Sequence, residues 1–263
     1  MNYLKDYYNN YDEDGRLLSR HGQVEYLTTM KYIGESLKEV ENPKILEVGA
    51  GTGRYSVTLA KQGFSVTAVE LFDYHLDVLK SKLDGSEDIK CLQGNALDLS
   101  VLPSDSFDLT MLLGPMYHLY TKKDKLQALS EAVRVTKSGG VIMVAYCMND
   151  PTVFQFVFGK NNLQTVIENN MLTPDWHCIS TPKDLFEMVR VEDIAELDSH
   201  FPVERIKLVA TDGATNYNRP LVDSMDDQTF EKWVEYHLAT CERQDLIGAS
   251  NHTLDILKNT KKG

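Results

Sequence analysis

Three alternating glycines, Gly49, Gly51 and Gly53, close an apolar run that starts at Ile45 and carries one acid, Glu47. A strand that ends this way and turns into a helix brings bare backbone close to a ligand at its carboxyl end, where open α/β sheets bind nucleotides. The spacing narrows the ligand. A dinucleotide fingerprint, G-x-G-x-x-G, uses its third glycine for close helix packing beside a pyrophosphate, and that position is Arg54 here. Nicotinamide chemistry on a nucleotide-binding oxidoreductase is thereby disfavoured. A second chemical residue, Glu70, ends the β-rich run Phe64-Ser65-Val66-Thr67-Ala68-Val69-Glu70. It stands about 20 residues past the first glycine, the separation at which an acid meets a ribose. Its carboxylate can accept from both ribose hydroxyls; an ordinary glutamate at a strand end is the alternative.

Two further segments follow in order. Ile89-Lys90-Cys91-Leu92-Gln93 reads as a strand and leads into Gly94-Asn95-Ala96-Leu97-Asp98. Phe107-Asp108-Leu109-Thr110-Met111-Leu112-Leu113 reads as another and leads into Gly114-Pro115-Met116-Tyr117-His118-Leu119. The first loop, the acid after the second strand and the polar turn after the third together resemble class I S-adenosylmethionine (SAM) methyltransferases, whose loop reads E/D-x-G-x-G-x-G. The resemblance covers residues 40 to 148 well and the C-terminal part more loosely. It implies SAM as cofactor, held by Glu47, Gly49, Ala50, Gly51 and Gly53 of the loop, by Glu70 and Leu71, by Asn95 and Ala96, and by Leu113. Asn95 stands where related enzymes usually have an acid for the adenine amino group. Its amide oxygen can accept the same hydrogen bond, and an Asx turn is the alternative use. The Gly-Pro-Met-Tyr-His-Leu segment and the tyrosine-rich N-terminus are similar to a group of bacterial small-molecule methyltransferases.

SAM carries an electrophilic methyl on a positive sulfur, so positioning and desolvation of the nucleophile carry much of the reaction. An acceptor that must lose a proton needs a base, and His118 has an ordinary pKa near 6.5. Tyr117 could align the acceptor, while a histidine after a strand is also a common structural residue. Enzymes acting on amide nitrogen or on the adenine amine commonly carry Asn or Asp before Pro-Pro-Tyr at this place, and this chain has Gly114-Pro115-Met116-Tyr117.

These residues need a sheet to hold them. Expected strands at 44 to 48, 64 to 70, 88 to 92, 107 to 113 and 141 to 147, with helices between, give the rhythm of a doubly wound, mostly parallel α/β sheet. Tyr55 to Gln62 suits a helix closed by Gly63, and Lys125 to Thr136 an amphipathic one, followed by a turn at Lys137-Ser138-Gly139-Gly140. Segments 205 to 210 and 253 to 257 supply strands six and seven, which the resembling family forms as an antiparallel hairpin, with a helix at 226 to 243 between them. More than 50 residues separate strands five and six, well beyond the 10 to 15 or so of a crossover helix. Residues 150 to 200 are therefore read as an insertion over the acceptor pocket, with Phe154, Phe156 or Phe158 either lining it or packing on the core. Residues 1 to 40, with Tyr3, Tyr7, Tyr8 and Tyr11, form a second cap segment of one domain spanning 1 to 263, or pack outside the sheet.

With 39 acids against 27 bases the formal charge is −12. Such a surface repels a phosphate backbone, which argues for a small-molecule acceptor and against nucleic acid. The basic cluster Lys122-Lys123-Asp124-Lys125 starts a helix and reads as a solvated face. No apolar run approaches the ~20 residues of a membrane span, and the first residues lack the pattern of a secretory signal, so the cytoplasm is the expected location. Cys91, Cys147, Cys178 and Cys241 are far apart, without C-x-x-C spacing, and are expected to be free thiols with no metal site. A non-catalytic SAM-binding module and a nucleic-acid or protein methyltransferase are the competing readings.

Overall fold

Strand β1 (Lys44–Val48) is buried from its second residue on, and the sheet grows outward from it on both sides. The computed structural model describes residues 3–262; Met1, Asn2 and Gly263 lie outside the described residues. Before β1 come α1 (Tyr3–Tyr8) and α2 (Arg20–Leu37). After it the chain alternates through α3 (Arg54–Lys61), β2 (Ser65–Glu70), α4 (Asp73–Ser81), β3 (Ile89–Gln93), β4 (Phe107–Leu112), a 3₁₀ turn at Pro115–His118, α5 (Lys122–Val135) and β5 (Thr136–Met148). The insertion holds α6 (Asn149–Thr152), a π-helical turn at Val153–Phe158, α7 (Leu163–Glu168), the two-residue β6 (Met188–Val189) and α8 (Val191–Asp198). The chain ends through β7 (Val203–Ala210), a 3₁₀ turn at Gly213–Asn218, α9 (Arg219–Asp223), α10 (Asp227–Thr240), α11 (Gln244–Ile247) and β8 (His252–Asn259).

The strand order is β3-β2-β1-β4-β5-β8-β7, with β6 added beside β5. β1 to β6 pair in parallel, whereas β8 runs antiparallel to both β5 and β7. This is the doubly wound sheet with a terminal antiparallel hairpin expected from the sequence; the two-residue β6 was not foreseen, being too short for periodicity to reveal. β5 also differs. The expected turn at 137 to 140 is a bulge inside one long strand, since pairing with β4 jumps from Phe107↔Thr136 to Leu109↔Val141. Lys137 pairs there with Asp108 at 2.8 Å, and Gly139 supplies a φ of 79°.

Alternate strand residues feed two cores, as the two-residue period of a strand requires. Leu46, Val48, Leu112 and Val144 pack under α5 and α8, through Ala128, Leu129, Ala132 and Ile194. Ile45, Leu109, Met111 and Met143 pack on the other face with Tyr32 and Ile33 of α2 and Leu59 of α3. Because the chain leaves β1 toward β2 in one direction and returns to β4 in the other, the order reverses between β1 and β4. Ligands bind in the crevice above such a switch point.

Candidate functional site

The loop after β1 is held over that crevice by backbone geometry. Gly49, Gly51 and Gly53 have φ of 78°, 53° and 85°, left-handed values that side chains with a Cβ adopt at a cost. A Cβ on Gly49 would stand 2.7 Å from Pro115 Cδ, so the loops after β1 and β4 meet in direct contact. Gly53 works differently from the expectation. It does not line the cavity; it sits behind the loop, where a Cβ would fall 2.5 Å from Leu79 Cγ and 2.9 Å from Val57 Cγ2. Its bareness lets α3 and α4 pack together.

A cavity of about 260 Å³ opens beside the loop, lined among others by Glu47, Gly49, Ala50, Gly51, Glu70, Leu71, Asn95, Ala96, Leu113, Tyr117 and His118. Glu70 is 5% exposed, and its carboxylate accepts from Gly51 N (2.8 Å) and Phe72 N (2.9 Å), with His75 Nδ1 3.5 Å away. Glu47 is buried beneath the loop and accepts from the backbone N–H and the hydroxyl of Ser56. Burial pushes its carboxyl up to about 8, against the opposing pull of those two hydrogen bonds. Asn95 makes an Asx turn, its Oδ1 accepting from Leu97 N at 3.0 Å, while it also lines the cavity; a carbonyl oxygen has a second lone pair for a ligand. Ala50 and Ala96 are buried, and Leu71 is open to solvent.

Tyr117 and His118 sit on the 3₁₀ turn after β4. Tyr117 donates to Leu113 O at 3.0 Å. His118 has a partner at each ring nitrogen: Nδ1 lies 2.8 Å from Leu185 O and Nε2 2.9 Å from Tyr8 Oη. A carbonyl only accepts, so Nδ1 carries the hydrogen and Nε2 accepts the Tyr8 hydroxyl proton. Burial lowers the His118 pKa to about 4, outweighing the Leu185 carbonyl and the charge of Glu70, so the ring is neutral at pH 7.

The N-terminal segment covers the crevice. Thr52 Oγ1 donates to Asp14 at 2.9 Å, Lys82 also pairs with Asp14, and Tyr8, Glu13 and Arg16 reach into the cavity. Beyond them lies a second cavity of about 700 Å³ that shares Tyr8, Glu13, Arg16 and Tyr117 with the first. Arg16 forks onto Glu25 with N–O distances of 2.9 to 3.1 Å and lies 3.4 Å from Glu13. His252 Nδ1 is 2.9 Å from Asp212 Oδ2 and 3.5 Å from Glu25 Oε2. Burial opposes charge on that ring, but Glu25 and Asp212 overcome it and hold His252 well above the ordinary histidine pKa. Ligand atoms of Glu25, Asp212 and His252 lie within 4.8 Å of one another, a spacing a metal could use. The carboxylates are already neutralised by Arg16 and the imidazolium, so the cluster is complete as an ion-pair network.

The insertion reaches this cavity through other residues than expected. Phe154, Phe156 and Phe158 are 54%, 42% and 52% exposed, and Phe158 packs on Trp176. Phe186, Met188 and Lys160 line the cavity instead. Glu25, Asp212, Arg219 and His252 also line this cavity; they converge from separate elements and carry no local motif in the sequence. The four cysteines are free. Among the described residues no helix is long and apolar enough to cross a membrane.

Residues 46–144 match a family model described as "Methyltransferase domain". The chain is 29% identical over 142 residues to the demethylmenaquinone methyltransferase of Clavibacter sepedonicus, covering 54% of this chain and 55% of that protein. It is 23% identical over 193 residues to the ubiquinone biosynthesis O-methyltransferase of Saccharophagus degradans, covering 71% and 79%. The first of these matches thus spans about half the relative's length. Among solved structures, a SAM-dependent methyltransferase from Methanosarcina mazei superposes with a TM-score of 0.59 at 15% identity, over 88% of this chain and 98% of that one, a likeness of fold.

Proposed function

We propose, on the premise that residues 46–144 belong to the class I SAM-dependent methyltransferase family, that this protein methylates a small molecule seated in the second cavity. The observation that carries the reading is the common wall of Tyr8, Glu13, Arg16 and Tyr117 between the two cavities. When bound, SAM supplies an electrophilic methyl on a cationic sulfur. The first cavity fits that cofactor: the loop brings the backbone of Gly49 and Gly51 to its wall, Glu70 offers a carboxylate for the ribose, and Asn95 a second lone pair for the adenine edge. Ala50, Leu71, Ala96 and Leu113 give the apolar flank, and Glu47 sets the loop from beneath.

On the acceptor side, Tyr117 faces both cavities and is suited to align the nucleophile. His118 is proposed as a positioning residue. Its Nε2 lone pair is spent on Tyr8, so what it offers is a fixed Tyr8 at the boundary, with proximity and exclusion of water supplying most of the rate. A phosphate backbone is disfavoured by the −12 charge, and the two quinone-pathway relatives are consistent with a small acceptor.

The test pairs calorimetric titration with SAM and incubation of a metabolite pool with methyl-labelled SAM. Saturable binding with label in a small molecule is expected. Binding with no transfer to any pool member would favour the non-catalytic SAM-binding module, and label in RNA or protein would move the acceptor class.

A further inference from the structure

We propose that the second cavity selects a flat, anionic acceptor, an aryl carboxylate in its simplest form, whose carboxylate docks on Arg219. The inference rests on the methyltransferase reading only in calling this ligand an acceptor. Arg16, Arg20, Arg134, Arg190, Arg205 and Arg243 each pair with a carboxylate. Arg219 instead donates from Nε (2.9 Å) and Nη2 to the neutral Oδ1 of Asn216, which is itself 6% exposed. That clamp fixes the guanidinium plane and leaves the Nη1 hydrogens unused, and a preoriented planar fork is suited to carboxylate.

The neighbouring acids have nearer partners, although Asp223 also feels the charge of Arg219. Glu25 is held by Arg16, Asp212 by His252, and Asp223 by both the backbone and the ring of His21. Lys160, from the insertion, lines the same cavity and has no ion pair among the described residues. A chain with a net charge of −12 thus keeps two cations without carboxylate partners on one cavity.

The shape comes from rings. Tyr11, whose hydroxyl feels the charge of Arg219, stacks on Tyr7 at 5.0 Å and 18°. Tyr7 meets Phe186 at 5.8 Å, and Phe186 meets Tyr117 at 5.9 Å. This aromatic track runs from the guanidinium to the residue shared with the cofactor cavity. A planar ligand matches the near-parallel Tyr7–Tyr11 pair with its charge toward Arg219, while Phe186, edge-on to Tyr7 at 89°, and Tyr117, tilted at 49° to Phe186, close its far side.

Benzoate, benzamide and cyclohexanecarboxylate separate charge from shape, and each is titrated calorimetrically against the full chain. Benzoate should bind at least ~10-fold more tightly than benzamide, about 1.4 kcal/mol, and also more tightly than cyclohexanecarboxylate. Arg219→Gln should bring benzoate down to the benzamide level, Arg219→Lys should restore part of the preference, and Lys160→Gln should weaken it less. SAM affinity should stay at the parent value in all three, which reports an intact fold. Equal affinities for acid and amide, no saturable benzoate binding in the millimolar range, or a preference that survives Arg219→Gln would overturn the anion site. Equal binding of benzoate and cyclohexanecarboxylate would overturn the planar part. A protein that prefers benzoate through Arg219 but incorporates label into nothing keeps this site and loses methyl transfer; labelling of an uncharged acceptor without benzoate preference does the reverse.

Discussion

The two cavities are built by different means. The first takes most of its wall from backbone and side chains between Glu47 and Leu119, at the ends of neighbouring parallel strands. The second is gathered from Tyr7, Arg16, Glu25, Phe186, Asp212, Arg219 and His252, which span nearly the whole chain. One is a property of a local strand-turn-helix and the other of tertiary assembly. On the proposed assignment a fold can keep its cofactor chemistry while its acceptor changes, because most of the second cavity's wall comes from the N-terminal segment, the insertion and the loops, with Cys147 and His252 reaching it from the sheet.

The largest effect expected from a single change is on the backbone of the first region. Gly53→Ala imposes a Cβ at φ 85° and within 2.5 Å of Leu79 Cγ, and strain plus overpacking should cost roughly 2–5 kcal/mol. Thermal melting should show a large drop in Tm and weaker SAM binding. Gly63→Ala is the control, since its φ is 91° but nothing lies within 4 Å of the added Cβ. Equal melting of the two variants would mean that contact with α4 does not set the loop, and the contrast between the regions would weaken.

Next is Glu70→Ala. Loss of hydrogen bonds to a charged group contributes about 1.5–3 kcal/mol, so the SAM dissociation constant should rise roughly 10- to 150-fold. The structure adds a second consequence: Gly51 N and Phe72 N lose their acceptor, so Tm should fall as well. Affinity for an acceptor-side probe should change far less. An unchanged SAM constant in a folded variant removes Glu70 from the cofactor.

The same division explains what could be read beforehand. Ile45 to Gly53, the acid after β2 and the strand periods are short-range patterns, so the mostly parallel doubly wound sheet and the glycine loop after β1 are legible in the sequence. Arg16 onto Glu25, or His252 onto Asp212 across 40 residues, leaves no periodicity and no spacing rule. The phenylalanines of the insertion were chosen for their size, yet size alone does not say which ring turns inward; Phe186 does, on a segment with little regular structure. Even within the legible region, spacing cannot distinguish a glycine bare toward a cofactor from one bare toward a helix, as Gly53 is toward Leu79.

Glu47 sharpens the comparison through pH. Its carboxyl is raised to about 8 by burial, above its unfolded value near 4.3. Stabilisation from the protonated form is therefore complete below about pH 4 and is lost as pH rises through 8. Glu47→Gln keeps a neutral acceptor for Ser56 and removes the titration. Tm of the parent should decline between pH 5.5 and 8.5 by several degrees more than that of the variant, on the basis that about 1 kcal/mol moves Tm by roughly 2–4 °C in a chain of this size class. Parallel Tm curves would show that the carboxyl is ionised throughout and that the loop rests on a buried charge.

The smallest effect is expected at the boundary itself. His118 offers no free nitrogen: Leu185 O takes the Nδ1 hydrogen and the Tyr8 hydroxyl takes the Nε2 lone pair. With its pKa lowered to about 4, it stays neutral in the folded chain while the unfolded chain protonates below about 6.5. Its stabilising contribution is thus present above pH 6.5 and is lost as pH falls toward 4. His118→Asn should reduce turnover only a few-fold, leave SAM affinity near the parent value and leave the pH–rate profile between 6 and 8 unshifted. Tyr8→Phe, which deletes the hydroxyl that His118 holds, should lose a similar factor, and the double variant should lose little more, because both act through one hydrogen bond. A fall of roughly 10²–10⁴ in His118→Asn with a displaced acidic limb would instead make this residue the general base. Tyr8 would then have to leave Nε2 during the reaction, and the N-terminal segment would be a moving part rather than a fixed wall.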